Sequence, residues 1–229
     1  MSIDIALLER AARAEITRPV LRFYRWDGPS LSLGAHQRLD EQVAARCAEL
    51  GVQVVKRPTG GAAVLHGKDL TYSVVAPHGT MGVLEAYREV AGGLIAGLAL
   101  LGIEARIGTR PEGPGYSRPP QRGARAACFA VTLGADLQVG GAKICGSAQL
   151  RRRGWFLQHG SIPIGDDRAI TKRILDHPDP IGATCLEHLR PGTSEEELCV
   201  CLRRGFESRW GEAEEVSVES LLVGLSIPA

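Results

Sequence analysis

A long helix notched by glycines constrains this chain more than any other feature. Val83, Tyr87, Val90, Leu94, Leu98 and Leu101 recur every three or four residues, which predicts a helix starting near Thr80 and ending at Gly102. Gly92, Gly93 and Gly97 lie inside it, and each costs a helix interior about 1 kcal/mol relative to alanine. Such a helix persists only where a neighbour packs closely against it. The apolar stretch at 91–101, broken by glycines, also falls short of the roughly 20 residues of a membrane span.

Strands surround that helix. Ahead of it, Ile5, Leu8 and Ala12 mark an N-terminal helix, and residues 20–26 and 30–33 read as strands. Asp40 is the expected N-cap of a helix with Val43, Cys47 and Leu50 on one face, stopped by Gly51. Residues 52–56, 62–65 and 70–75 predict three more strands. Beyond the helix, 103–107 predicts an edge strand, and 135–139 and 142–150 predict a hairpin closed by Gly140-Gly141, with 155–164 continuing the sheet. Ser194-x-x-Glu197 is a capping box before a last long helix carrying Leu198, Cys201, Leu202 and Phe206. Strands with interspersed helices predict an α+β fold around one mixed sheet. At 229 residues and 44% hydrophobic content the chain can bury one core, so residues 1–229 are expected to form a single domain. The segment 108–125, rich in Gly, Pro and Arg and without period, reads as a functional lid or a disordered connection.

A net charge of +1 argues against nonspecific nucleic-acid binding. The charges are nevertheless uneven: Arg106, Arg110, Arg118, Arg122 and Arg125 precede the triple Arg151, Arg152 and Arg153, a basic face suited to an acidic partner. Asp4 and Glu9 near the start, and the lack of a small-residue cleavage site, speak against a secretory signal, so a cytoplasmic protein without a membrane segment is expected. Six cysteines show no CxxC pair, so no metal site is expected, and with no export signal their thiols are expected to be reduced.

Four stretches carry side chains capable of chemistry. Lys56-Arg57-Pro58-Thr59-Gly60-Gly61 leads to His66; its two glycines let a ligand approach the backbone, and Arg57 offers a cation beside them. The GxxxxGK[ST] spacing of a phosphate-binding P-loop is absent. The second stretch, Gly140 to Gln149, sets Lys143 among apolar and small residues, and Gly146, Ser147 and Ala148 leave room for a bulky guest. Cys128 follows the arginine-rich segment and becomes a nucleophile if a cation lowers its thiol pKa. His159 and Gly160 sit on an expected strand.

Taken in order, RPTGGAAVLHGKDLTYSVV, then ACF, then GGAKICGSAQLRRRGWFLQHGSI resemble the lipoate–protein ligase and octanoyltransferase family, as do SIDIALLERA and LRFYRWDGPSLSLGAHQ near the start. The resemblance covers residues 2–164 and implies a fold similar to the biotin/lipoate protein ligase catalytic module. It implies transfer of an octanoyl or lipoyl group to a lysine of a lipoyl carrier domain. By that likeness Arg57, Gly60, Gly61, Ala62 and His66 line the acyl pocket, Lys143 contacts the acyl carbonyl or an adenylate phosphate, and Gly146, Ser147, Ala148, His159 and Gly160 shape the same cavity. Cys128 resembles the nucleophile of the transferase branch. Ala62 stands where a glycine or arginine is usual, and the chain has no room for the accessory C-terminal domain of large ligases.

The expected mechanism is a Cys128 thioester, loaded from an acyl carrier protein without a cofactor and then attacked by the acceptor lysine, with Lys143 stabilising thiolate and oxyanion. Two other readings follow from the same residues: a ligase that uses ATP and magnesium to activate lipoate or octanoate, and a non-catalytic module that binds lipoyl domains.

Overall fold

The computed structural model describes residues 1–108, 136–175 and 183–222. Cys128, Arg110, Arg118, Arg122 and Arg125, and the expected strand start at 135, lie outside the described residues. The chain runs α1 (Ser2–Ala12), β1 (Val20–Tyr24), β2 (Ser30–Leu33), α2 (Glu41–Glu49), β3 (Gln53–Lys56), β4 (Val64–His66) and β5 (Asp69–Pro77). It continues with α3 (Val83–Leu100), β6 (Arg106–Ile107), β7 (Leu137–Val139), β8 (Ala142–Arg152) and β9 (Trp155–Pro163), then α4 (Arg168–Leu175), α5 (Leu186–Leu189), α6 (Glu195–Trp210) and α7 (Val218–Leu222).

Two sheets result. The larger, in the order β1-β5-β9-β8-β7-β6, is antiparallel throughout. The smaller, β3-β2-β4, pairs β2 parallel to β3 and antiparallel to β4. The α+β expectation holds, with the mixed pairing confined to the small sheet. β6 is the edge strand that the sequence predicted. Gly140 (φ 57°) and Gly141 (φ 86°) close the β7–β8 hairpin in the left-handed region that a two-residue turn requires.

Alternation along β5 distributes its side chains between two cores. Leu70, Tyr72, Val74 and Ala76 join Val90, Leu94, Leu98, Leu198, Leu202 and Phe206, so α3 and α6 cover this face. Val75 belongs with Leu157, Leu7, Leu8 and Ala11, under α1 on the other face. The α1 stripe is not the Ile5–Leu8–Ala12 stripe read from apolar residues alone: Asp4, Leu7, Leu8 and Ala11 are the buried positions. The shift follows from Asp4, a polar anchor that accepts from Ser73 Oγ at 2.7 Å and Tyr24 Oη at 3.0 Å and pairs with Arg22.

The glycines of α3 have the close neighbour that the sequence demanded. A Cβ on Gly97 would lie 2.6 Å from Leu202 Cα, and one on Gly205 would lie 2.2 Å from Gly97 N. α3 and α6 therefore touch backbone to backbone. The helix begins at Val83 rather than near Thr80, because the Glu85 carboxylate accepts from Gly82 N at 2.6 Å and caps it there. Asp40 caps α2 as expected, accepting from Gln42 N and Val43 N. Among the described residues no helix is long and apolar enough to cross a membrane.

Candidate active site

The register of the large sheet builds one wall of a cavity. Across β5, β9 and β8 it aligns Thr71, Ser161 and Gly146 in one row and Ser73, His159 and Ala148 in the next. Ser32, Val64 and His66 of the small sheet form the opposing wall, with Arg57. The space between the sheets, together with its mouth open to solvent, is about 350 Å³, and its exposed lining is mostly apolar. Arg57, His66, Gly146, Ser147, Ala148, His159 and Gly160, all expected from the sequence, line this one space. Gly160 has no room for a side chain: its Cβ would meet Gly146 O at 2.5 Å and Tyr72 Cε1 at 2.6 Å.

Gly60, Gly61 and Ala62 are not part of that lining. They act at one remove, through Arg57. The guanidinium donates to Gly60 O (3.0 Å), Ala62 O (2.6 Å) and Ser32 O (3.0 Å), so it staples the turn to β2. The sequence predicts a ligand against the turn's backbone beside a cation; the structure instead turns the turn's carbonyl oxygens onto that cation. Gly61, at φ 96°, brings its carbonyl against Gly34, where a Cβ would sit 2.1 Å from Gly61 O.

β4 ends at His66 and β5 begins at Asp69, so the corner between the sheets sets the two side chains face to face. His66 Nδ1 lies 2.7 Å from Asp69 Oδ2, and His66 Nε2 lies 2.9 Å from Ser32 Oγ. The Trp26 ring stacks on His66 at 4.2 Å. Burial raises the Asp69 pKa, but bonds from His66, Ser161 and Gly67 N outweigh it and hold the carboxyl below its ordinary range. Asp69 is therefore ionised at neutral pH.

His159 behaves differently. Its Nε2 is 2.6 Å from Thr59 Oγ1, tying β9 to the glycine turn, and burial first, then the Arg57 charge, lowers its pKa to about 4. Because the folded pKa lies below the unfolded value of roughly 6.5, the unfolded chain binds the extra proton. The stabilisation is complete above that value and lost as pH falls toward about 4. Urea unfolding at pH 7.5 and pH 5 is expected to show wild type losing about 2 kcal/mol more than His159→Gln over that interval; equal losses would contradict the buried neutral imidazole.

Lys143 is 1% exposed, and its Nζ lies 2.8 Å from Asp136 Oδ2, itself 2% exposed. The backbone of Lys143 is flanked by Ala183 and accepts from Thr184 N at 2.9 Å. The amine is thus buried, but it is held by a carboxylate that the sequence did not point to, and it is not among the groups lining the cavity. Four residues on, the Ser147 hydroxyl meets Tyr72 Oη at 2.6 Å. Gln158 donates to the same phenol at 3.2 Å and Gln149 donates to Gln158 at 3.1 Å. Burial keeps the Tyr72 phenol well above its ordinary pKa and hence protonated.

Two arginines of the expected basic face are already engaged. Arg151 donates to Met81 O, Gly82 O and Gln149, and Arg152 pairs with Glu9. Cys47, Cys145 and Cys185 are buried fillers, while Cys199 and Cys201 are partly buried on α6. Among the described residues no cluster of His, Cys, Asp or Glu is placed to hold a metal. A second cavity of about 590 Å³ shares Val64 and Ser161 with the first and adds Asp166, Arg168, Thr184 and His188. Ser32, Thr59, Asp69, Thr71, Asp136 and Ser161 are the polar site residues that sequence reasoning missed. Only His66-x-x-Asp69 carried a usable signal, as an imidazole and a carboxylate three residues apart across a glycine turn.

Residues 1–188 match the lipoyl protein ligase A/B catalytic domain. The octanoyltransferase LipM of Carboxydothermus hydrogenoformans is 45% identical over 232 residues, covering 95% of this chain and 82% of that protein. LipM of Symbiobacterium thermophilum is 38% identical over 220 residues, covering 94% and 77%. A solved structure of a candidate lipoate protein ligase of T. acidophilum with bound lipoic acid is 25% identical, covers 91% of this chain and 81% of that one, and superposes with a TM-score of 0.71. The chain belongs to the lipoyl protein ligase A/B catalytic domain family.

Proposed function

We propose that this chain is an acyltransferase that moves an octanoyl group onto the acceptor lysine of a lipoyl domain, with Cys128 carrying the acyl group between donor and lysine. The observation that carries the reading is the cavity between the sheets: seven residues from distant parts of the chain converge on a mostly apolar space. There an acyl tail gains about 0.8 kcal/mol per buried CH₂. The relatives at 38% and 45% identity are octanoyltransferases, which supports octanoyl as the cargo.

In the proposed sequence the Cys128 thiolate attacks the acyl thioester of a carrier protein and expels its thiol. The lysine amine then attacks the enzyme-bound thioester, the C–S bond breaks, and an amide remains. The positive charge of Lys143, held by Asp136 just outside the cavity lining, stabilises the thiolate and the oxyanion that forms at each attack through its field rather than as a lining group. No ATP is needed, because the acyl group arrives already activated.

Octanoyl-acyl carrier protein, mixed with the enzyme and a lipoyl domain in the absence of ATP, is expected to transfer the octanoyl mass to the domain. Without the acceptor, the same mass is expected on Cys128 by intact-protein and peptide mass spectrometry, and Cys128→Ser should lose it while keeping its circular dichroism. Modification only with free octanoate or lipoate plus ATP and magnesium, and no adduct on Cys128, would replace this reading with the ligase one.

A further inference from the structure

We propose that Asp69, His66 and Ser32 form a proton relay that deprotonates the incoming lysine. The inference rests on the acyl-transfer reading above, but it requires only an activated acyl group and an ammonium, not the particular thiol. A lysine reaches a mostly apolar cavity as a cation and cannot attack until a proton leaves. Ser32 and His66 both line the cavity. Ionised Asp69 only accepts, so in the neutral His66 ring the nitrogen facing it, Nδ1, carries the hydrogen and Nε2 is left as the acceptor. Ser32 Oγ then donates to Nε2 at 2.9 Å and accepts from Arg57 Nη1 at 3.2 Å. Every bond in the chain runs in one direction, from the cavity wall toward the carboxylate.

Other groups on the cavity wall serve this purpose less well. His159 holds a proton only near pH 4 and below, and its Nε2 is tied to Thr59. Ser161 and Thr71 both donate to Asp69. The charged and titratable groups around His66 are Asp69 behind it, Arg57 across Ser32, His159 on β9, Tyr24, which feels Asp69 from β1, and on the same cavity lining the Met1 amine, 3.9 Å from Asp4. Trp26 fixes the plane of the imidazole so that both its nitrogens stay in line.

The protons balance. The lysine ammonium gives one proton to Ser32 Oγ as the Ser32 hydrogen passes to His66 Nε2, and Asp69 stabilises the imidazolium. The free amine forms the C–N bond and the thioester C–S bond breaks. Of the three ammonium protons, one stays on the amide, one leaves on the sulfur as a thiol, and one is released from His66 to water.

The test compares two amines. Lysine must be deprotonated, whereas hydroxylamine is already uncharged at neutral pH. His66→Gln and Ser32→Ala are expected to lower the ratio of lipoyl-domain transfer to hydroxylamine consumption of octanoyl thioester about 100-fold, whatever common loss the change to the cavity wall brings to both. Ser32→Ala, a small change, keeps the comparison readable if His66→Gln folds poorly. Equal loss toward both amines, or no loss toward lysine, overturns the relay. Intact mass of the enzyme, read in the same samples, separates this from failure of the Cys128 route: an absent adduct counts against the thioester, while the ratio between the amines still reports on the relay.

Discussion

Lys143→Met is expected to lower octanoyl transfer by about 10³-fold and, separately, to destabilise the fold by about 3–5 kcal/mol. The first figure is the upper end for removing preorganised stabilisation from a developing oxyanion. The second comes from Asp136: with both partners almost fully buried, deleting the ammonium removes a positive charge 2.8 Å from a desolvated carboxylate. The two effects separate in the double variant Asp136→Asn/Lys143→Met, which removes both charges. Its urea midpoint should return most of the way to wild type, since replacing a buried pair by neutral groups is often neutral, while its transfer rate stays low. Recovery of activity together with stability would mean that Lys143 only holds the sheet together.

Gly205→Ala is expected to cost about 3 kcal/mol, a fall in melting temperature of roughly 6–12 °C for a chain of this size. Intrinsic helix propensity pulls the other way, favouring alanine by up to about 1 kcal/mol. Packing decides the sign. The new methyl would lie 2.2 Å from Gly97 N and 2.4 Å from Gly93 O, atoms of another helix's backbone that cannot swing aside. α3 and α6 would have to separate, opening the core that holds Leu94, Leu98, Leu198 and Leu202. Gly92→Ala is the control. Its methyl meets the Arg209 guanidinium at 2.6 Å, the far end of a flexible side chain, so differential scanning calorimetry should show little change. Similar melting shifts in both variants would contradict backbone contact as the cause.

Legibility varied with the range of the interaction. Local signals were read well: Asp40 as a cap, Gly140-Gly141 as a hairpin turn, and the need of α3 for a close partner. The α1 stripe was misjudged because hydrophobic periodicity takes no account of an acid, and Asp4 occupies a core position through bonds to Ser73, Tyr24 and Arg22. Site residues were found where they stand in distinctive runs, such as Gly146, Ser147 and Ala148. They were missed where a lone serine or threonine becomes polar machinery only through a partner, as Ser32 does through His66, 34 positions away.

By itself the sequence determined most of the element types (though not α4, α5 or α7), the family likeness and most of the cavity's membership, because period, caps and turn chemistry act over a few residues and leave local traces. Only the tertiary structure decided that Arg57 braces the glycine turn, that Asp136 holds Lys143, and that Asp69, His66 and Ser32 line up. Each depends on which strands meet and in what register, and a one-residue shift in that pairing would send the same side chains to the opposite face.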